Sequence, residues 1–174
     1  MNDEQLFRQQ MADVRPLVQD RADITATRRH ANFAQRRHAA VADIQRADNA
    51  LSDAVQLVDN NAVVSFKRAG IQAAVFKKLR LGKHQNQARL DLHGMKIDQA
   101  RTAVYQFIMD CQRYNLRTVV IVHGKGLRSA TGQALLKSHT VHWLEQLDAV
   151  MAFHSAQAQD GGTGAVYVLL RKAS

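Results

Sequence analysis

Two short apolar segments, each ending in a His-Gly pair, constrain the fold of this 174-residue chain most strongly. The first is Leu-Asp-Leu-His-Gly at residues 90–94, and the second is the β-branched run at 118–122, which continues into His-Gly-Lys-Gly at 123–126. Between them, apolar residues recur at helical spacing over residues 97–111. This order predicts a strand, a helix and a parallel strand, so both histidines reach the carboxyl edge of one sheet, where open α/β sheets bind ligands.

The rest of the back half extends this unit to the order strand, helix, strand, helix, strand, strand. A second helical pattern covers about residues 131–147, and residues 149–154 predict a third strand. A glycine-rich turn then leads into residues 165–171, whose alternation fits a closing antiparallel strand. We therefore predict an α/β fold, a βαβαββ domain over residues 88–174 with a four-stranded mixed sheet and two helices on one face.

The front half of the chain is more polar and more basic. We expect residues 1–64 to be an N-terminal extension, with a short helix at 3–14 and weak order after it. Residues 65–87 predict a basic amphipathic helix, and the absence of acidic residues there favours contact with a phosphate backbone. A surface helix docked on the domain explains the same pattern equally well. The candidate phosphate-binding residues of this region are Lys77, Lys78, Arg80, Lys83 and Arg89.

The net charge of +9 favours a polyanionic partner, because clustered cations gain affinity by displacing the counterions condensed on phosphates. Nucleic acid is the first candidate, and an anionic membrane surface is a distant second. The single cysteine, Cys111, excludes an internal disulfide framework. No signal-peptide pattern and no long uncharged apolar run are present, so we expect a soluble cytoplasmic protein without a membrane partner.

Residues that can carry chemistry collect at the predicted sheet edge. Alternation along the first strand places Asp91 and His93 on the same side, so an acid lies beside an imidazole. His123 and His154 end the second and third strands, and all three histidines are expected at one edge. Backbone N–H groups of the loop before the second helix predict an anion site, to which Lys125 adds charge. The further candidates at this edge are Gly94, Gly124, Gly126, Arg128, Gly161, Gly162 and Gly164.

Each of these features also has a structural explanation. Gly-Lys-Gly at residues 124–126 could simply turn a strand into a helix, and Asp91 could cap the following loop through backbone N–H groups. A small-molecule nucleotide enzyme is disfavoured, because the chain lacks a full dinucleotide or P-loop fingerprint.

Three ordered segments resemble the signature motifs of the Smr (small MutS-related) domain. They are Leu-Asp-Leu-His-Gly at 90–94, His-Gly-Lys-Gly at 123–126 and Gly-Gly-Thr-Gly-Ala at 161–165. The resemblance covers about residues 88–172, and the front half is similar to the extension of stand-alone proteobacterial Smr proteins of the SmrA type. It implies a βαβαββ domain with endonuclease activity. Members are linked to nicking DNA and to cutting messenger RNA on stalled or collided ribosomes.

By this resemblance, the catalytic residues are Asp91 and His93, which form the catalytic pair, and His123 of the second motif. Two mechanisms stay open. In one, His93 is the general base or acid on an RNA 2′-hydroxyl, Asp91 orients it, and Lys125 with the loop amides stabilises the phosphorane. In the other, Asp91 and edge histidines hold a divalent cation, manganese or magnesium, that activates water.

We expect the metal-free route, no resident cofactor, and RNA in preference to DNA, with the ribosome as a further partner. The alternatives are a DNA-nicking endonuclease and a non-catalytic module that binds RNA, DNA or a ribosome through the same basic cleft.

Overall fold

The structure, a computed structural model, describes residues 33–52, 55–126 and 134–172. In chain order the elements are α1 (Phe33–Ala50), β1 (Ser65–Lys67), α2 (Ala73–Arg80), β2 (Ala88–Asp91), α3 (Ile97–Arg113), β3 (Thr118–Val122), α4 (Leu135–Gln146), β4 (Val150–Ser155), two short 3₁₀ turns (Ala158–Asp160 and Gly162–Gly164) and β5 (Ala165–Leu170). From residue 37 onward the described residues belong to one compact unit. Within the described part of the chain, no helix is both long enough and apolar enough to span a bilayer.

The strands form one mixed sheet in the order β1-β4-β5-β3-β2. Strands β2 and β3 are parallel, whereas β5 is antiparallel to both of its neighbours, β3 and β4. The carboxyl ends of β2, β3 and β4 therefore meet at one edge of the sheet. The βαβαββ order predicted for the back half is confirmed.

Helices α3 and α4 cover one face of the sheet, as predicted. Val119 and Ile121 of β3 point to this face and belong to the same buried cluster as Val104 of α3 and Trp143 of α4. Burial of such side chains stabilises the fold by roughly 1.5–3 kcal/mol each. Cys111 lies in this cluster, and burial raises the pKa of its thiol to about 11, which fits a core residue.

Helix α2 packs on the opposite face of the sheet. Its Leu79 is buried in a second cluster with Ala152 of β4 and Tyr167 of β5. The helix predicted over 65–87 is thus shorter, Ala73–Arg80, and it docks on the domain through its apolar side.

The sheet has five strands, not the four that we predicted, because Ser65–Lys67 forms β1 instead of the start of the basic helix. This strand pairs antiparallel with β4 at the edge of the sheet. Its Phe66 stacks on Phe153, with ring centroids 5.3 Å apart. A three-residue strand contributes one core side chain, which is too few for alternation to be recognised in a sequence.

Other element bounds differ from the predictions by one or two residues. The strands predicted at 89–93 and 149–154 are Ala88–Asp91 and Val150–Ser155, as expected from the imprecision of strand ends. The predicted start of the second helix, near residue 131, lies outside the described residues.

The segment for which we predicted weak order contains α1, Phe33–Ala50. Two of its carboxylates contact α3: Asp48 pairs with Arg101 at 3.2 Å, and Asp43 accepts a hydrogen bond from Gln106 at 2.8 Å. Polar contacts of this kind hold α1 against α3. The helix therefore does not need a wide apolar face, and its sequence lacks the pattern by which such a helix is usually recognised. The helix predicted at 3–14 lies outside the described residues.

A buried lysine fastens the loop at residues 59–62 to α4. The Lys137 ammonium donates hydrogen bonds to the carbonyl oxygens of Asp59, Asn60 and Ala62, at 2.9, 3.0 and 2.7 Å. Burial lowers the pKa of Lys137; the charge of Asp59 opposes this effect and that of Lys125 adds to it. Charge-assisted hydrogen bonds to three carbonyl groups offset the cost of removing the ammonium from water.

We expect Lys137→Met to lower the free energy of unfolding by about 2–4 kcal/mol, because it keeps most of the apolar stem but leaves three carbonyl groups without their donor. Urea unfolding measures this change. The matched control is Lys172→Met at an exposed position, for which we expect a change of about 0.5 kcal/mol or less. A similarly small change for Lys137→Met would contradict the anchoring role.

Candidate functional site

Asp91 and His93 form a hydrogen-bonded pair at the end of the edge strand β2. The Nδ1 atom of His93 lies 2.8 Å from Oδ1 of Asp91, and the backbone N–H of His93 donates to the same oxygen at 3.0 Å. Leu92 between them is fully buried, and Gly94 adopts a φ of 74° in the turn that follows. The predicted side-by-side placement of the acid and the imidazole is confirmed.

The pair is open to solvent. The side chain of His93 is 81% exposed, and that of Asp91 is 45% exposed. Partial burial raises the pKa of Asp91, but the hydrogen bonds from His93 and the charges of His93 and Arg89 outweigh it and hold the pKa below its usual value. Asp91 is therefore a carboxylate at neutral pH. It accepts the Nδ1 proton, so Nε2 is the nitrogen of His93 that is available to a ligand.

A cleft of about 700 Å³ opens beside this pair. Its lining comes from the connection at residues 93–97, the loop at 123–126 and the first turn of α4 with the residue before it, 134–137. Two lysines of this lining, Lys96 and Lys125, are exposed, whereas the ammonium of Lys137 is turned to the carbonyl groups of the loop at 59–62. The cleft therefore combines a hydrogen-bonded acid–imidazole pair with exposed positive charge.

His123 contributes the buried part of the lining. It is only 3% exposed, its Nδ1 donates to the carbonyl oxygen of Gly124 at 2.8 Å, and its buried Nε2 has no hydrogen-bond partner among the described residues. Burial lowers the pKa of His123 to about 4; the hydrogen bond to Gly124 opposes this shift and the charge of Lys137 adds to it. His123 is therefore neutral at pH 7 and is not a proton donor in its imidazolium form.

The glycine-rich turn at residues 161–164 packs directly against the loop that carries His123. The carbonyl oxygen of Gly164 accepts hydrogen bonds from the backbone N–H groups of His123 and Gly124, at 3.0 and 2.9 Å. A Cβ atom on Gly164 would lie 3.2 Å from Cγ of Lys125 and 3.4 Å from the carbonyl carbon of Gly124. A side chain at residue 164 would require the Lys125 side chain to shift slightly, so Gly164 favours the close packing of the turn and the loop.

His154 does not join the other two histidines, contrary to our expectation. Its ring lies edge-on to Phe76 of α2, with centroids 6.1 Å apart, and its Nδ1 donates to the carbonyl oxygen of Ser155 at 2.8 Å. The neighbouring Phe153 fills the core under α3 and α4, so alternation turns His154 to the other face of the sheet.

Most of the basic residues selected from the sequence lie outside the cleft. Those of α2 and the loop after it are exposed on the face opposite α3 and α4, and they do not line the cleft. They are Lys77, Lys78, Arg80 and Lys83. Arg89 is exposed on β2, on the same side of the strand as Asp91. Arg128 lies outside the described residues.

Two lysines of the lining, Lys96 and Lys137, were missed by sequence reasoning. Lys96 follows the first His-Gly pair and immediately precedes α3, and its closeness to that motif was a usable signal. Lys137 carries no local signal, because the carbonyl groups that hold it come from a distant part of the chain.

The described residues contain no group of three or more His, Cys, Asp or Glu side chains placed to hold a metal ion. At the mouth of the cleft, Asp91 and His93 are the side chains of this kind that lie together.

Comparison with known proteins gives consistent matches. Residues 90–171 match the Smr domain. The probable DNA endonuclease SmrA of Escherichia coli (strain K12) is 34% identical over 173 residues, which cover 99% of this chain and 90% of that protein. The ribosome rescue factor SmrB of Tolumonas auensis is 33% identical over 98% of this chain and 93% of its own length. The crystal structure of YdaL, a stand-alone small MutS-related protein from Escherichia coli, superposes with a TM-score of 0.64 at 35% identity, covering 74% of this chain and 99% of that chain.

The buried, neutral state of His123 predicts a specific pH dependence of stability. The folded pKa of about 4 lies below the ordinary value of 6.5, so the unfolded chain binds a proton first as the pH falls. We expect His123 to contribute a loss of about 3 kcal/mol of stability between pH 6.5 and pH 4.

His123→Asn keeps a donor for the Gly124 carbonyl group but does not titrate, so this part of the acid sensitivity should disappear. Urea unfolding of both proteins across this pH range measures the difference. Parallel curves for the two proteins would show that His123 does not carry the effect.

Proposed function

The chain belongs to the Smr domain family, and we propose that it is an endonuclease that cleaves phosphodiester bonds in RNA, with Asp91 and His93 as its acid–base pair. The observation that supports this most directly is the 2.8 Å contact between His93 and Asp91 at the mouth of a cleft flanked by exposed lysines. The name of one relative, a probable DNA endonuclease, agrees with the reaction class, and other relatives are named ribosome rescue factors.

In the proposed reaction, Nε2 of His93 removes the proton of a ribose 2′-hydroxyl group. The resulting oxygen attacks the adjacent phosphorus, and the bond from phosphorus to the 5′-oxygen breaks. The leaving oxygen takes a proton from water. Cleavage then yields a 2′,3′-cyclic phosphate and a 5′-hydroxyl end. Asp91 fixes the tautomer of His93 and stabilises the imidazolium that forms.

Negative charge that develops on the phosphate is met by cations and backbone donors. We propose Lys96 and Lys125 for the charge, with the backbone N–H groups of Lys125 and Gly126 for hydrogen bonds, because those of His123 and Gly124 are donated to Gly164. The glycines of the three motifs leave the backbone accessible and allow the close packing of this edge. They are Gly94, Gly124, Gly126, Gly161, Gly162 and Gly164. Arg128, in the same loop sequence, is a further candidate for phosphate contact.

The two motif histidines take different roles in this proposal. His93 is exposed and paired with a carboxylate, so it exchanges protons with the substrate. His123 is buried and neutral, and its pKa of about 4 makes it a poor base at neutral pH. We assign His123 to positioning the loop that carries Lys125.

RNA is the favoured substrate, because the reaction uses the 2′-hydroxyl group as its nucleophile and requires no cofactor. DNA lacks this group, so DNA cleavage at the same site requires activated water. A manganese or magnesium ion held by Asp91 would supply that water.

We expect Asp91→Asn and His93→Ala each to reduce cleavage of a labelled single-stranded RNA by about 10²–10⁴-fold in EDTA, which is the usual contribution of general acid–base catalysis. Asp98→Asn is the matched control, because Asp98 is an exposed carboxylate close to the site in sequence and outside the pair. It should retain full activity. End analysis of the products identifies the cyclic phosphate.

Cleavage that persists in both variants would overturn the assignment of the pair. Cleavage that requires manganese and acts equally on DNA would replace the proposed mechanism with the water-activating one.

The second candidate is a non-catalytic module that binds RNA on the ribosome, favoured by the relatives named ribosome rescue factors. Either function would place the protein in the cytoplasm. The wild-type protein distinguishes them when it is added to naked RNA and to stalled, collided ribosomes. Salt-sensitive binding without cleavage on both substrates would favour the module. Cleavage on ribosomes alone would retain the nuclease and make the ribosome its activating partner.

A further inference from the structure

We propose that exposed cations at the end of α2 form a second phosphate-binding surface for the RNA strand that occupies the cleft. This inference rests on the proposed function and extends its substrate contact to the other face of the sheet. We call this surface the α2 basic end. It consists of Lys77, Lys78, Arg80 and Lys83.

The four cations of the α2 basic end differ from Arg68 nearby, whose guanidinium group has hydrogen-bond partners inside the fold. No acidic residue occurs between Asp59 and Asp91 in the sequence. Arg68 in this interval is used internally, since its Nε donates to the carbonyl oxygen of Val150 at 2.8 Å and its Nη2 to that of Glu145 at 3.0 Å.

All four residues of the α2 basic end are exposed, and within the described part of the chain none of them forms an ion pair. Cations in a last helical turn also complement the helix dipole, but Lys83 lies beyond the end of α2. The dipole therefore does not account for the whole cluster.

Hydrogen bonds connect the C-terminal end of α2 to the segment that leads into the glycine-rich turn at residues 161–164. The side-chain amide of Gln157 donates to the carbonyl oxygen of Arg80 at 2.7 Å. The backbone N–H of Gln157 donates to the hydroxyl group of Tyr167 at 3.2 Å. Gly82 lies against the same hydroxyl, where an added Cβ would be only 2.8 Å from the oxygen. The end of α2 therefore lies at the cleft edge of the sheet, although on the opposite face.

The other side of the turn touches the cleft. Gly164 accepts hydrogen bonds from the loop of His123 and lies against Lys125, so Lys125 and the α2 basic end flank one turn. The turn offers little obstruction, because Gly161 and Gly162 have no side chains. Asp160 lies immediately before the turn. Its carboxylate accepts a hydrogen bond from the buried hydroxyl of Tyr167 and is thereby held toward the sheet.

A single strand that leaves the cleft across the turn therefore meets the α2 basic end. The contact would be with phosphates rather than bases, because exposed lysines and an arginine offer charge without a stacking surface. Such contacts release condensed counterions, so they should contribute mainly to salt-sensitive affinity for strands long enough to cross the turn.

The test compares two fourfold variants in an Asp91→Asn background, which prevents cleavage during binding. The first carries Lys77→Gln, Lys78→Gln, Arg80→Gln and Lys83→Gln. The matched control removes the same charge from four exposed residues at or near the opposite edge of the sheet, with Arg113→Gln, Arg117→Gln, Arg171→Gln and Lys172→Gln. Thermal unfolding and circular dichroism confirm that both variants fold. Fluorescence anisotropy measures binding of labelled oligouridines of about 25 and about five nucleotides over a salt series.

For the long strand, we expect the first variant to bind at least about tenfold more weakly at 0.1 M salt, with a salt slope lower by about three, from roughly 0.7 per lost phosphate contact. The short strand should be affected less than about twofold, and the control variant should be close to its parent on both. Lys77→Arg, Lys78→Arg and Lys83→Arg combined should retain long-strand binding, because the charge is kept.

An unchanged long-strand affinity would overturn the inference, and so would an equal loss in the control or on the short strand, because those results reflect net charge alone. Failure of the proposed nuclease function would give a different result from failure of the second phosphate-binding surface. A wild-type protein that cuts no RNA, while the length-dependent loss remains, contradicts the nuclease and retains the second surface. Cleavage without a length-dependent loss contradicts only the second surface.

Discussion

The hydrogen bonds from the backbone of His123 and Gly124 to the carbonyl oxygen of Gly164 hold the candidate site together. They continue the pairing of β3 with β5 beyond the ends of both strands. Strand β5 is buried along its entire length, so the turn before it has a rigid base. The loop that carries Lys125 is thereby fixed against the turn, and a preorganised loop is what an anion site requires, because no free energy is then lost in ordering it.

The two motif histidines, His93 and His123, differ in environment because one is exposed and the other is buried. His93 and His123 each follow a strand, and β2 and β3 are parallel neighbours, so the sequence presents them as equivalents. On the edge strand β2, His93 is exposed and has the carboxylate of Asp91 as its partner. Behind β3, His123 has a backbone carbonyl group as its partner, and desolvation keeps its ring neutral. The position of each strand in the sheet therefore determines which ring is open to solvent.

Much of the fold and of the central pair was predictable, because these depend on local periodicity. Alternation placed Asp91 beside His93, and helical spacing identified the crossover helix between the parallel strands. Alternation does not say which face of a sheet is the core, and this is why His154 was placed on the wrong side. The strand at Ser65–Lys67 was missed because its pairing with β4 is long-range and its single core residue leaves no pattern. The anchoring of Lys137 is equally non-local.

The positively charged side chains of this protein fall into two classes, those that have partners inside the fold and those that are exposed to solvent. Only the second class is available to a ligand. Arg68 and Lys137 donate to backbone carbonyl groups and stabilise the fold, so local backbone dipoles solvate their charges in place of a ligand. The exposed cations remain to attract phosphate, and besides those at the opposite edge of the sheet they include a group at the cleft and a group on α2. A strand of nucleic acid has enough repeated charge to satisfy both groups, whereas a mononucleotide does not. The distribution of exposed cations therefore favours an extended polyanion over a small phosphorylated ligand, which the net charge alone could not decide.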